Sequence, residues 1–331
     1  MLSHDNRAVN AGSVFFSIVL CAGALLGSVP AAAQDAAPKL VRIVVPFSAG
    51  ASNDAIARAI AGPVGKRLDS TVIVENRPGA AGAIGADAVA KSPRDGSVLL
   101  LTSSTFLTAA ATQPRLSYDP IAAFAPIAVV GQNPSLLAVS SSTPFKSPAE
   151  LLAAARAKPG ELTYGSAGVG SIGHMATELL SAAAKVQMRH VPYKGAANAA
   201  IDLAGGQIHV MVSSYSTLGA FLKSGKVRAL AVTSKQPYPA FPDLPPLIAT
   251  VPGFWNETWV GVFAPAGTPA RFIERLNQEL NEISASPELR ALLEPDGMMA
   301  VALTPASFAA RLKQEFAQWK QIAMDRKIVV E

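Results

Sequence analysis

Strand-like and helix-like segments alternate from about residue 40 onward, and this alternation constrains the fold more than any other feature of the chain. Residues 40–45 (LVRIVV) read as a short buried strand. A helix follows over 54–68, with Ile56, Ile60, Val64 and Leu68 on one face. Residues 71–75 (TVIVE) form a second strand, 80–90 a helix of small residues, and 97–102 (SVLLLT) a third strand. Such a βαβαβ order predicts a parallel sheet flanked by helices, an α/β fold. The alternation pauses at 127–140 (IAVVGQNPSLLAVS), a long extended stretch broken by Gln132, Asn133 and Pro134. A capping box then opens a helix, with Ser147 as N-cap, Pro148 at the first helical position and Glu150 at the third. A new βα series follows, with strands at 162–164, 188–191, 208–212 and 228–233 and helices from about 172 and 196. Residues 259–264 (WVGVFA) are extended again, and helices from about 270 and 305 end the chain. Two extended stretches bracketing a central βα block predict two lobes joined by two crossings. The first lobe is discontinuous, 34–137 with 260–331, and the second is 138–259. The cleft between them is the natural place for a ligand.

The N-terminus carries Arg7, then an uncharged apolar run at 14–29, then Pro30-Ala31-Ala32-Ala33-Gln34. A cationic leader, an apolar run and an A-x-A site make a secretory signal peptide over 1–33, cleaved after Ala33. The run is shorter than the about 20 residues of a spanning helix, and small residues end it. Cys21 does not read as a lipoprotein site, because Leu20 stands where Gly or Ala is needed. It is also the single cysteine, so the secreted chain has neither a disulfide nor a thiol nucleophile and rests on burial alone. The roughly 300 residues that remain are ample for that. The net charge of +5 is modest and its Lys and Arg residues are scattered, which argues against nucleic acid as a partner and suits an anionic solute.

Three segments place glycine or small polar residues between a strand and a helix: VPFSAGASND at 45–54, YGSAGVGSIGH at 164–174 and VPYKGA at 191–196. Glycine lets the backbone approach a ligand closely, and free N–H groups at a helix start attract carboxylate or phosphate. Each segment is alternatively an ordinary βα turn. Asp54 reads as a helix cap with an indirect role, or as the group that orients the loop at 48–53. Lys194 is a solvated loop lysine or a counter-charge, and Phe47 is a pocket wall or core. His174, in a first helical turn, packs locally or touches a ligand.

Catalytic motifs fail on spacing. GAAGAIG at 79–85 is G-x-x-G-x-x-G rather than the dinucleotide fingerprint, and no phosphate loop of the G-x-x-x-x-G-K-[ST] type occurs. Gly165-Ser166 and Gly170-Ser171 lack the intervening residue of the hydrolase elbow. His174, His190 and His209 are dispersed, without metal-ligand spacing. No metal, cofactor or catalytic residue is expected.

The motif VPFSAGASND-x-x-AR at 45–58 resembles the first ligand loop of the tripartite tricarboxylate transporter receptors, also called Bug receptors. ENRPGAAG at 75–82, PGELTYGS at 159–166, VPYKG at 191–195, DLAGGQ at 202–207 and FAPAGTP at 263–269 are similar in turn and in family order. The resemblance implies a two-lobed periplasmic binding protein fold, type II-like, that traps a small carboxylate-bearing solute in the interlobe cleft. It implies ligand contacts at Phe47, Ser48, Ala49, Gly50, Ala51, Ser52 and Asp54 on one lobe. On the other it implies Tyr164, Ser166, Gly168, Gly170, Ser171, His174 and Tyr193. Main-chain amides hold the solute in such a site. Two departures stand out: Ala51 where a second glycine is usual, and Ser213 where many members carry an aspartate that holds an amino group. The second favours plain di- or tricarboxylates, or an aromatic acid, over amino acids. A monomer working with membrane permease subunits is expected, with a receptor reporting to a membrane sensor as the alternative and a secreted enzyme as the weakest reading.

Overall fold

The structure is a computed structural model in which the described residues are Met1, Leu2 and Ala37–Val330; the proposed signal segment lies outside them. Ala37 onward forms one compact unit built on two five-stranded sheets. The first sheet combines β1 (Leu40–Val45), β2 (Thr71–Asn76), β3 (Val98–Ser103), β4 (Phe124–Pro134) and β10 (Glu257–Pro265), in the order β2-β1-β3-β10-β4. β1 is parallel to β2 and β3, and β10 lies antiparallel between β3 and β4. The second sheet combines β5 (Leu136–Ser140), β6 (Thr163–Ser166), β7 (Arg189–Pro192), β8 (Val210–Ser213) and β9 (Val227–Val232), in the order β7-β6-β8-β5-β9. Its β6 is parallel to β7 and β8, and β5 lies antiparallel between β8 and β9. The two sheets therefore repeat one plan, and in each the fourth strand follows a crossing from the other.

Side-chain alternation explains why these strands are central. Val41, Ile43 and Val45 of β1 pack with Ile56, Ile60, Val64 and Leu68 of α1 (Ser52–Leu68). Val44 turns to the opposite face, with Leu100, Trp259, Phe263 and Phe308. A strand buried on both faces needs such a near-continuous apolar run. In the second sheet Leu137 and Val139 face α4 (Pro148–Ala157) and α5 (Ile172–Ala184), while Leu136 and Ala138 face α6 (Ala196–Ala204) and α7 (Tyr215–Lys223). Ser147 caps α4, accepting from Glu150 N–H at 3.2 Å, as the capping box predicts.

Several elements differ from expectation. The ladder of β4 runs through Gln132, Asn133 and Pro134, and the break falls at Ser135, so Leu136 and Leu137 already belong to the second sheet. Cross-strand pairing to Glu257, Thr258 and Trp259 satisfies the backbone there despite the turn-forming composition. The helix expected at 80–90 opens as a 3-10 turn over Ala80–Gly82, with Ala81 left-handed, before α2 (Ala83–Ala90). Two short helices, α3 (Thr105–Thr112) and α7, lack a sequence signal long enough to read. Beyond β10 come α8 (Ala270–Ser284), the short α9 (Pro287–Leu293) and α10 (Pro305–Asp325). α10 reaches over to the second sheet, where Trp319 and Ile322 share a cluster with Met175 and Ile172 of α5.

The two crossings are fastened to each other. Ser135 separates β4 from β5, and residues 233–256 lead from β9 back to β10. Thr233 is fully buried between them. Its hydroxyl accepts from Ser135 N–H at 2.8 Å and has the carbonyls of Ser135 (3.0 Å) and Asn256 (2.6 Å) within reach of its one proton. Thr233 N–H donates to Ser135 C=O at 3.0 Å, and Asn256 N–H donates to Thr233 C=O at 2.9 Å. Replacing this hydroxyl by a methyl group orphans buried polar groups, which costs about 1–3 kcal/mol. Thr233→Val is therefore expected to lower the unfolding free energy in urea by that amount, and Thr233→Ser, which keeps the hydroxyl, to lose much less; equal stability for the valine variant and the unaltered chain would refute the fastening role.

Candidate functional site

Parallel strands in both sheets end in the loops singled out above, and ligands of open α/β sheets gather at such carboxyl ends. β1 ends at Val45, and residues 46–51 lead into α1. Phe47 is half-buried against the core under β1, whereas Ser48, Ala49, Gly50 and Ser52 are exposed. Gly50 has φ +82°, which a side chain would strain. Ala51 has φ −71°, which alanine adopts freely, so the missing second glycine leaves no strain at that position.

Asp54 is not the helix cap. Ala51 holds the N-cap position without a side-chain bond, and Asp54 lies inside the first turn. Its buried carboxylate accepts from Gly50 N–H at 2.9 Å, from Asn76 Nδ2 at 2.9 Å and from Arg58 Nε at 3.0 Å. Asn76 Nδ2 also reaches Phe47 C=O at 3.1 Å. Arg58 first, then the Gly50 amide and Asn76, hold this carboxyl down at about 2, so it is ionised at any ordinary pH. Asp54 thus fastens the loop from behind. With Gly50 bound to it and Ala51 N–H on Ser48 C=O at 3.2 Å, the N–H groups of Ser48, Ala49, Ser52 and Asn53 have no acceptor among the described residues.

The second loop follows β6. Ser166 is fully buried, and its hydroxyl accepts from Gly168 N–H at 3.1 Å. Gly170 N–H donates to Nδ1 of the buried His174 at 3.1 Å. Ser171 caps α5, accepting from His174 N–H at 3.4 Å. Gly168 (φ +123°) and Gly170 (φ +75°) occupy backbone conformations open to glycine, and a Cβ on Gly170 would lie 2.8 Å from Thr112 Oγ1 and from Val330 Cγ2. The amides of Gly168 and Gly170 are therefore already used by side chains of the protein. Those of Ala167, Val169, Ile172 and Gly173 have no acceptor among the described residues.

The remaining expected site residues support this loop. Tyr164 is fully buried, and its hydroxyl donates to Glu178 at 2.6 Å. Tyr193, half-buried, donates its N–H to Ser166 C=O at 3.1 Å and its hydroxyl to Asp202 at 2.7 Å. Lys194 is exposed. No hydrogen bond joins 47–54 to 164–174 among the described residues, so the halves are held independently by their own sheets.

The histidines are not all dispersed. His174 and His190 stack face to face, ring centres 3.8 Å apart and planes within 8°. Tyr164 continues the stack at 4.9 Å from His190. Burial first, and for His174 also its neighbour His190, push both imidazoles down to about 4, so both are neutral near pH 7. Sequence spacing could not show this contact: parallel pairing of β6 with β7 sets His190 beside Tyr164, and α5 brings His174 onto the same stack. His190 Nε2 also lies 2.7 Å from Ser166 Oγ. That pair is no hydrolytic dyad: Ser166 is sealed from solvent, and His190 has no carboxylate partner among the described residues. The strand end Ser103-Ser104 before α3 has no counterpart in the sequence analysis, and Ser213-Ser214 before α7 enters it only through the aspartate that Ser213 replaces. Their serine pairs after apolar runs were the available signal.

Comparison with known proteins fits this geometry. Residues 56–328 match the family described as "Tripartite tricarboxylate transporter family receptor". Protein BugT of Bordetella pertussis is 31% identical over 299 residues, covering 89% of this chain and 92% of that protein. Among solved structures, R. palustris Rpa4515 with adipate is 33% identical, with a TM-score of 0.71 over 88% of this chain and 98% of that one. MatC (Rpa3494) from Rhodopseudomonas palustris, with bound malate, is 30% identical, with a TM-score of 0.68 over 86% and 98%. A family match over most of its length and a shared two-lobed fold make this chain a member of the tripartite tricarboxylate transporter receptors, which are periplasmic solute-binding proteins and not enzymes.

Proposed function

We propose that this chain captures a small dicarboxylate between its lobes, mainly through main-chain amides. The observation that carries the reading is the pair of loops with unsatisfied N–H groups, one at a strand end of each sheet and each opening a helix. Such groups carry partial positive charge and bind carboxylates without a cationic side chain. One loop for each carboxylate accounts for a solute with two. The adipate and malate of the two relatives are solutes of this kind. Ser213 in place of an acid offers an ammonium group no negative charge, which disfavours amino acids. Phe47, Ser48, Ala49, Gly50, Ala51 and Ser52 form the first half-site. Ser166, Gly168, Gly170, Ser171 and Tyr193 frame the second, with Tyr164 and His174 behind them.

In this reading the lobes are 34–137 with 260–331 and 138–259, adjusted at Leu136 and Glu257 by the sheet boundaries. The chain is secreted by its cleaved leader, acts as a monomer and delivers its solute to membrane permease subunits.

Mass analysis of the protein from intact cells should find a chain beginning at Gln34; a retained leader with membrane association would contradict export by cleavage. A thermal-shift screen of carboxylates should raise the melting temperature with adipate or malate, by about 2.7 kcal/mol of stabilisation at a hundredfold excess over Kd. X-ray scattering should show compaction at saturation, since hinge closure brings the lobes together; an unchanged radius of gyration with saturated binding would contradict capture between lobes. Asp54→Ala releases the first loop and should weaken binding at least about tenfold, or 1.4 kcal/mol. Lys194→Ala should stay within about threefold if the lysine supplies no counter-charge; the reverse order would replace the amide reading by a lysine clamp.

A further inference from the structure

Two of the amides in the glycine-rich loop are consumed by side chains, one a member of a buried ring stack and the other hydrogen-bonded to it. His174 Nδ1 takes the N–H of Gly170, so that nitrogen is unprotonated and the ring's proton resides on Nε2. Ser166 Oγ takes the N–H of Gly168 and bonds His190 Nε2. The stack of His174, His190 and Tyr164 ends on Glu178, which accepts from the Tyr164 hydroxyl and pairs with Arg326 at 3.2 Å. Between the two anchored glycines, Ala167 and Val169 are exposed and their N–H groups unsatisfied.

We propose that His174, backed by His190 and Ser166, is the positioning residue of the solute loop: by drawing the Gly168 and Gly170 amides inward, the stack leaves the alternate amides of Ala167 and Val169 for the solute. This rests on the dicarboxylate reading above. The arrangement requires neutral His174, because a proton on Nδ1 removes the acceptor of Gly170 N–H and turns the nitrogen into a competing donor. The surroundings favour the neutral form. His190 faces the ring from β7 and Tyr164 from β6; Arg189 of β7 and Glu178 of α5 line the adjoining cavity. Arg326 and Lys327, just past the end of α10, line the same cavity, of about 610 Å³. Glu178 is the one acid in that set and is engaged by Tyr164 and Arg326. Burial and the His190 ring hold His174 down at about 4. With the folded value depressed below the ordinary 6.5, the loop geometry keeps its full weight above pH 6.5. It loses weight against any opened form as pH falls towards 4, by about tenfold per histidine at pH 5.5.

The test uses the full mature chain, adipate and malate as probes, and two variants. His174→Phe keeps a stacking ring without the acceptor, and His174→Asn offers an oxygen near the place of Nδ1 without a titratable group. At pH 7.5 the phenylalanine variant should bind at least tenfold more weakly and the asparagine variant within about threefold of the unaltered chain. Without any ligand, nitrogen NMR should show His174 as the Nε2–H tautomer, with the Gly170 amide resonance following its titration. That dependence should vanish in His174→Asn. Protonation of the probes affects all three proteins alike, so only differences between them count. Unaltered affinity in His174→Phe, or a Gly170 amide indifferent to the titration of His174, overturns the proposal. Should His174→Phe not fold, the amide titration of the unaltered chain decides. If neither probe binds the unaltered chain, the dicarboxylate reading fails, and the ligand-free titration still judges the positioning role.

Discussion

The architecture depends on one buried hydroxyl. Thr233 ties the single residue that separates β4 from β5 to the segment leading back into β10. Both crossings between the sheets run through this knot, so the sheets cannot separate without breaking hydrogen bonds that have no water to replace them. The knot thereby joins the two crossings at one buried point. α10 adds a second tie further out, where Arg326 meets Glu178 and Val330 N–H donates to Thr112 C=O at 2.9 Å. The same α10 is locked to the first sheet by Glu315, which accepts from Trp259 Nε1 at 2.9 Å and pairs with Arg311.

Both halves of the proposed site share one physical device. An unsatisfied amide invites an anion, yet a loop with many free amides would be mobile and poorly shaped. In each half, a buried side chain takes some of the amides and fixes the rest. Asp54 does this for Gly50, aided by Asn76 and Arg58. Ser166 and His174 do it for Gly168 and Gly170. The two halves differ in charge. An ionised carboxylate stands behind the first loop, whereas the second is backed by neutral imidazoles. Arg58 offsets the Asp54 charge, so the first loop still presents donors to an anion without facing net repulsion.

In the proposed main-chain reading, the chain needs no conspicuous cationic clamp. Amides specify where a carboxylate sits but little about what it is attached to, and the two relatives on this scaffold carry adipate and malate. Ser103-Ser104 and Ser213-Ser214 stand at the two remaining strand ends that lead into helices, β3 into α3 and β8 into α7.

The sequence by itself determined the α/β class, nearly all strands, the long helices and the three glycine-rich loops. Those features are local: apolar periodicity, caps and glycine placement act within a few residues of one another. It located the change of sheet to within a few residues but not at Ser135, because the turn-like Gln132, Asn133 and Pro134 are kept in the ladder by strands distant in sequence. The short α3 and α7 escaped for the same reason, since eight or nine residues form a stable helix only when packing supports them. Asp54 carried two sequence readings, and only the folded turn chose between them by bringing Gly50 and Asn76 to its oxygens. The stacking of His174 on His190 was invisible in the chain, because it arises where α5 and β7 meet across a parallel sheet. Which amides remain for a solute was settled in the same way: the sequence supplies the N–H groups, and tertiary packing decides which of them the protein has already used.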